Sequence, residues 1–318
     1  MSNILSQQNR LTMETTAETT TAKKDVHAIA TEHVIEHLKR GIVPWLTQWT
    51  HQGIPQNLVN HIEFRFINVF LLATLGYKKN FFITQKQLEK LGASVKKKQR
   101  GYPAFYWKWP EKSEKMNGIT VTESDSSKSP FLRYYYVYNI EQCNEIKKSM
   151  IPKIHVPENP LQMCAAIVAN MPNAPTVQHG IHPASYMPTI DCIDMPDKEQ
   201  FPNDESYYCV LFRTLIHSTG HESRLNRKEV MQATLTDKDL HRTEDLISEL
   251  GASYLSSFAG IRYGGAIDVN EYATVWLEKF QKDSRLIVYA STQAQRAVDY
   301  ILNRQRRSIS DDSTAASL

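Results

Sequence analysis

No long apolar run occurs anywhere in this chain of 318 residues. Its richest stretch, Phe64 to Leu75, already contains Arg65 and Asn68, whereas a membrane-spanning helix needs roughly 20 apolar residues. The N-terminus carries Gln, Thr and Glu where a signal peptide would have its apolar core. A cytoplasmic protein with no membrane partner is therefore expected. Cysteine is scarce. Cys143, Cys164, Cys192 and Cys209 are far apart and form no C-x-x-C pair. That spacing argues against a disulfide framework or a cysteine metal site and predicts buried, reduced thiols.

The chain also has little net charge, +3, but that figure hides a division. Residues 23–155 hold 21 Lys and Arg against 11 Asp and Glu, while residues 156–318 hold 15 against 21. A basic front joined to an acidic back implies that only the front meets a polyanion. A module that captured a host enzyme by imitating DNA would be acidic throughout, and this front is not.

Hydrophobic residues make up 41% of the chain, enough for two domains with cores. Val26, Ile29, Ala30, Val34, Ile35 and Leu38 recur at helical spacing before Gly41, predicting a helix over 25–40. A second helix is expected over 64–75, and a short one between Thr84 as cap and Gly92. Strand-like runs follow at 102–107, 118–122 and 131–138. Three prolines within 148–160 mark a boundary. Beyond it helices are expected at 161–171, 205–219, 241–259, 271–282 and 285–304, with short strands between 176 and 195. The expected fold class is α+β, with a mixed α/β domain at 23–150 and a mainly helical one at 160–306. The polar tails 1–22 and 307–318 are expected to be disordered.

The front half concentrates flat and cationic side chains. Trp45, Trp49, Trp107 and Trp109 lie there, and Lys96, Lys97, Lys98 and Arg100 run directly into Tyr102, Phe105 and Tyr106. Such a mixture suits single-stranded nucleic acid, with cations on phosphates and rings under unstacked bases. Trp45, Trp49, Tyr102 and Trp107 are the candidates for stacking. Alternation along a strand places Tyr102, Ala104 and Tyr106 on one face and Phe105 and Trp107 on the other. One set is then core, and a solvated lysine tip is the plainer reading of the cluster.

In the back half, LFRTLIHSTGHESRLNR (211–227) is similar to the zinc helix of a zincin peptidase. There H-E-x-x-H sets two histidines on one helical face and a glutamate beside the metal-bound water. With His217 as the second histidine, Arg213 stands at the first and Thr214 at the glutamate. A guanidinium cannot ligate a metal and a threonine is no general base. The peptidase scaffold is kept and its hydrolytic set is gone.

Several phrases taken in order resemble the ArdC-type antirestriction proteins of conjugative plasmids and transposons. That family shares its front domain with TraC-type plasmid primases. The phrases are GIVPWLTQW, PQN at 55–57, FRFIN at 64–68, TQKQLEKLGASVKKKQRG, YYVYNIEQC, PTIDCIDMP, LIHSTGHESRLNR and EDLISELGASYL. The resemblance spans about residues 25–305. It implies a front domain that binds single-stranded DNA, a zincin-like back domain, and protection of incoming DNA during conjugative transfer of a mobile element. Asn57 and Asn68, within PQN and FRFIN, join the DNA-contact candidates. Where the family often has glycine before the I-N pair, this chain has Phe66, which narrows a close backbone approach.

The resemblance also implies a third metal ligand at Asp245, the second acid of E-D-L-I-S-E, with Glu249 one turn on. The residual donor set is His217, His221, Asp245 and Glu249. Three arrangements stay open. Arg213 pairs with Asp245 or Glu249 in place of a metal; Arg213 points to solvent; or His221 joins His217 and a carboxylate to bind zinc. The leading expectation is single-strand binding with no cofactor and no catalysis. The alternatives are a peptidase using His217, His221 and Asp245 with Glu222 or Glu249 as base, and a module that grips a host or element protein in the cleft.

Overall fold

The computed structural model describes residues 25–304 apart from 117–118, 125–126, 232–237 and 265–268. The two expected tails and Gly118 of the expected 118–122 strand lie outside the described residues.

Helix α1 (Val26–Lys39) starts at Asp25, whose carboxylate accepts from the His27 N–H, and Gly41 at φ +71° follows its end. After a 3₁₀ turn at Pro44–Leu46 come β1 (Gln56–Asn57), α2 (Ile67–Ala73) and β2 (Phe81–Thr84). Helix α3 (Gln85–Lys90) opens on a capping box between Thr84 and Gln87, which satisfies two otherwise orphaned N–H groups. Strands β3 (Ser94–Val95), β4 (Tyr102–Lys108), β5 (Glu111–Met116), β6 (Ile119–Ser124), β7 (Phe131–Asn139) and β8 (Cys143–Asn144) complete the front. The main sheet has the order β1-β2-β7-β4, and β5 and β6 pair as a separate antiparallel ribbon.

Helix α2 is shorter than the expected 64–75, because Phe66 sits at φ +56°, ψ −141° and blocks helical geometry before Ile67. The alternation expected for β4 also fails at its centre. Ala104 and Phe105, on opposite faces, are both buried, so this edge strand is covered on both sides. Ala104 packs with Phe82 and Val137, and Phe105 joins the large core.

The back half contains α4 (Pro160–Ala169), β9 (Thr176–Gly180), β10 (Ser185–Met187) and β11 (Cys192–Pro196), in sheet order β10-β11-β9. Then come α5 (Asp204–Ser218), α6 (Lys228–Met231), α7 (Lys238–Ala259), α8 (Val269–Lys282) and α9 (Leu286–Ile301). Helices α5 and α7 cross closely at Gly251, where an added Cβ would lie 2.5 Å from Ile216 Cδ1. The four cysteines are free and buried. Burial pushes the Cys143 and Cys164 thiols up to about 11 and about 12, so they stay protonated at neutral pH.

One large core joins the beginning of the chain to its end. Trp45 is fully buried against Tyr272, Trp276 and Phe280. Its indole N–H donates to the Tyr272 hydroxyl at 3.0 Å, and its carbonyl accepts from Ser253. Thr50 donates to the Ser257 carbonyl at 2.6 Å, and Arg65 pairs with Asp299 on α9.

Candidate functional site

Helix α5 carries the peptidase-like phrase. Asn203 caps it through the Ser206 N–H, and Asp204 and Glu205 sit in its first turn, where the helix dipole favours acids. Arg213 and His217 are one turn apart on one face. Arg213 Nη2 donates to Asp245 Oδ1 at 3.0 Å, with both side chains about half exposed. Only this bond forms, so the pair is not the bidentate fork that Arg and a carboxylate can make. Glu249 lies one turn further along α7 and accepts from the Tyr272 hydroxyl instead. Burial raises its carboxyl to about 7, with Asp245 adding to the rise and Arg213 opposing it.

The other expected donors make different contacts. His217 packs its ring 5.7 Å from Tyr186. Burial, then the nearby cations Arg227 and Arg213, hold it down at about 4, so it is neutral at physiological pH. His221 Nδ1 pairs with Ser223 Oγ at 2.8 Å. Thr214 is buried and turns its hydroxyl onto the Val210 and Leu211 carbonyls of its own helix, each at 3.0 Å. Its hydroxyl hydrogen is thus committed to its own helix. Among the described residues no three His, Cys, Asp or Glu side chains are grouped to hold a metal ion. The donor set does not fit a zincin metal: a guanidinium occupies one position and the His221 ring turns to Ser223.

Two arginines that sequence reasoning passed over do more here than any predicted ligand. Arg227, almost fully buried, donates to both Glu244 carboxylate oxygens at 3.0 and 2.6 Å. It also donates to Thr219 Oγ1 at 2.6 Å and to the Ile216 and His217 carbonyls. This closes the C-terminus of α5, where carbonyls lack helical partners. Arg224 holds Asp191, the Tyr186 hydroxyl, and the carbonyls of Asn173 and Ser218. The signal was in the sequence as a pair of arginines three apart, but their acceptors lie 17 and 33 residues away in the chain.

The front-half candidates divide. Trp45 and Trp49 are 0% and 5% exposed, which corrects their assignment as stacking platforms. Asn57 and Asn68 are buried too and are likewise corrected as DNA contacts. Asn57 caps the Val59 and Asn60 N–H groups and bonds Gln87. Asn68 exchanges two 2.7 Å bonds with the backbone of Phe105, acting as a strand partner for the sheet edge. Lys97, Lys98 and Arg100 are exposed between β3 and β4, with Lys98 at φ +67°. Lys96 donates to the Glu141 carbonyl at 2.7 Å. The Tyr102 hydroxyl is paired with that of Tyr77 at 3.0 Å. Trp107 is half-buried at the far end of β4, roughly 17 Å along the strand from Tyr102.

A sequence profile described as the N-terminal domain of anti-restriction factor ArdC matches residues 24–138. Another, described as a zincin-like metallopeptidase, matches residues 165–293. The chain belongs to the ArdC-type family. Crystal structures of the antirestriction ArdC protein from the R388 plasmid share its fold at 26% identity. The metal-free form gives a TM-score of 0.67 and covers 89% of this chain and 100% of that one. The Mn(II)-bound form gives 0.68, covering 88% and 98%. A DNA primase TraC of Escherichia coli is 28% identical over 313 residues, which is 92% of this chain. The chain spans only 28% of that primase's length. Within this ArdC-type chain the zincin-like segment thus holds Arg213, His217 and the Arg227–Glu244 pair, and the ArdC N-terminal segment holds the basic tip.

Proposed function

We propose that this ArdC-type protein binds single-stranded DNA through its front half and shields incoming DNA from restriction. Its zincin-like domain is a scaffold that does not hydrolyse peptides. The exposed basic tip at Lys97, Lys98 and Arg100 supports the first part, together with the antirestriction relative. The Arg213–Asp245 pair carries the second, since a fixed cation stands beside the carboxylate that a metal would need. Fluorescence anisotropy of labelled single- and double-stranded oligonucleotides across a salt series tests the binding. Tighter single-strand binding that falls steeply with salt is expected. K96A/K97A/K98A should weaken it and flatten the salt slope; an unchanged slope would remove the tip from the site.

A second reading, a metallopeptidase with His217, His221 and Asp245 as ligands, draws support from the fold and from the Mn(II)-bound relative. Stoichiometric zinc in protein purified without chelator, with casein cleavage abolished by H217A, would replace the scaffold reading. Should neither DNA nor metal bind, capture of a host or element protein in the peptidase-like cleft becomes the reading to pursue by co-purification.

A further inference from the structure

A cleft of about 540 Å³ opens where β4, the start of α2 and helix α9 come together. Its volume falls within the roughly 300–1,000 Å³ of ordinary ligand sites. Arg65, Arg285 and Arg296 line it, and the one acid among the lining residues, Asp299, is paired with Arg65. The lining thus brings three guanidinium groups to one cleft, with Arg296 donating to Gln293 and Asp25 close enough to Arg285 to feel its charge. Three rings share the same lining: Phe66, Trp107 and Tyr289. The Tyr289 hydroxyl is fixed by donation to Glu229 at 2.7 Å, and Trp107 leans edgewise on His27 at 5.9 Å.

Phe66 sharpens the case. Its φ of +56° belongs to the left-handed region that glycine occupies freely and a phenylalanine rarely does. Its N–H is held by Gln295 Oε1 at 3.3 Å, which ties this backbone to α9. Its ring stays half-buried at the cleft wall, with the Arg65 guanidinium 5.7 Å from its centre. Strained backbone states cluster at binding and catalytic sites, and this one holds a half-buried ring beside a cation at the cleft wall.

We propose that this cleft seats a short segment of single-stranded nucleic acid, its bases stacking on Phe66 and Trp107 and its phosphates meeting Arg285 and Arg296. Stacking accepts any base but needs it unpaired, so a duplex is refused. Guanidinium forks match phosphate oxygens in pairs. The assignment rests on the single-strand reading above and moves its centre from the lysine tip to the junction of the two halves.

The test uses the full chain and a labelled thymidine 12-mer, followed by anisotropy at several salt concentrations. F66G is the decisive variant, because glycine takes φ +56° without strain and the fold is kept; thermal melting by circular dichroism checks this. Its affinity should fall roughly 5- to 150-fold, the loss of one stacked base. R285A/R296A should lower the salt slope by about 1.4, two phosphate contacts on a single strand. Matched DNA and RNA oligomers show which nucleic acid is preferred. If both variants bind as the unaltered chain does while K97A/K98A loses affinity, the cleft assignment falls and the single-strand reading stands. If the unaltered chain binds no single strand at low salt, both fall.

Discussion

Two arginine–carboxylate pairs tie the α5 region to α7, and they use neighbouring residues of the same helix. Arg227 meets Glu244 with side chains 2% and 1% exposed, whereas Arg213 meets Asp245 with side chains 45% and 55% exposed. One step along a helix turns a side chain by about 100°, enough to send Glu244 inward and Asp245 outward. The inner pair is saturated by further bonds to Thr219 and two carbonyls. The outer pair makes a single bond beside the residues that resemble a metal site. The inner arginine is buried in the scaffold; the outer one is a half-exposed cation beside His217 and Asp245.

Breaking the inner pair should have the largest effect. R227A leaves the Glu244 carboxyl buried without its cation, which costs about 3–5 kcal/mol, read by urea unfolding. R227M/E244L removes both charges and should recover most of that loss; a double variant as weak as the single one would show that the carbonyl bonds dominate. G251A comes next. It drives a methyl into the fully buried Ile216 and should cost about 1–3 kcal/mol.

The pH response separates the two environments more finely. His217 sits at about 4 against an ordinary 6.5. Between those values the unfolded chain binds the extra proton, so stability rises with pH. Glu249 runs the other way, at about 7 against 4.5. The folded chain holds its proton, and stability falls as pH rises through that window. The slopes oppose each other between 4.5 and 6.5. In chelator-treated buffer E249Q should uncover the rising limb and H217Q the falling one, by denaturant midpoint against pH. R213A should have the smallest effect, about 0.2–1 kcal/mol for an exposed pair. A loss near that of R227A would erase the distinction between the two pairs.

Periodicity made most helices legible, because a buried stripe at helical spacing needs no knowledge of its partner. α1, α5 and α7 all lie within the spans expected for them or a few residues beyond. β5 was missed because Glu111–Met116 reads EKSEKM, with no apolar alternation and only Met116 apolar. The Arg213–Asp245 contact was legible through the resemblance to a zincin site, which implies a ligand at Asp245 opposite the position Arg213 takes; spacing alone left Glu249 equally open. Trp45 and Trp49 were not: an aromatic residue reads the same from sequence whether it meets a base or α8. Arg227 was overlooked for a similar reason, since arginine in a polar loop normally signals solvent.

The junction at Trp45 also bears on how such proteins are assembled in evolution. The profiles that recur across relatives end at residue 138 and resume at 165, yet the indole of residue 45 is a keystone of the rear helical layer. The gap between the two profiles is therefore not a boundary in the core. A rear segment transplanted without residues 26–50 would arrive with Tyr272, Trp276 and Phe280 facing water. A donor front would be accepted only if it brought a ring to fill that seat.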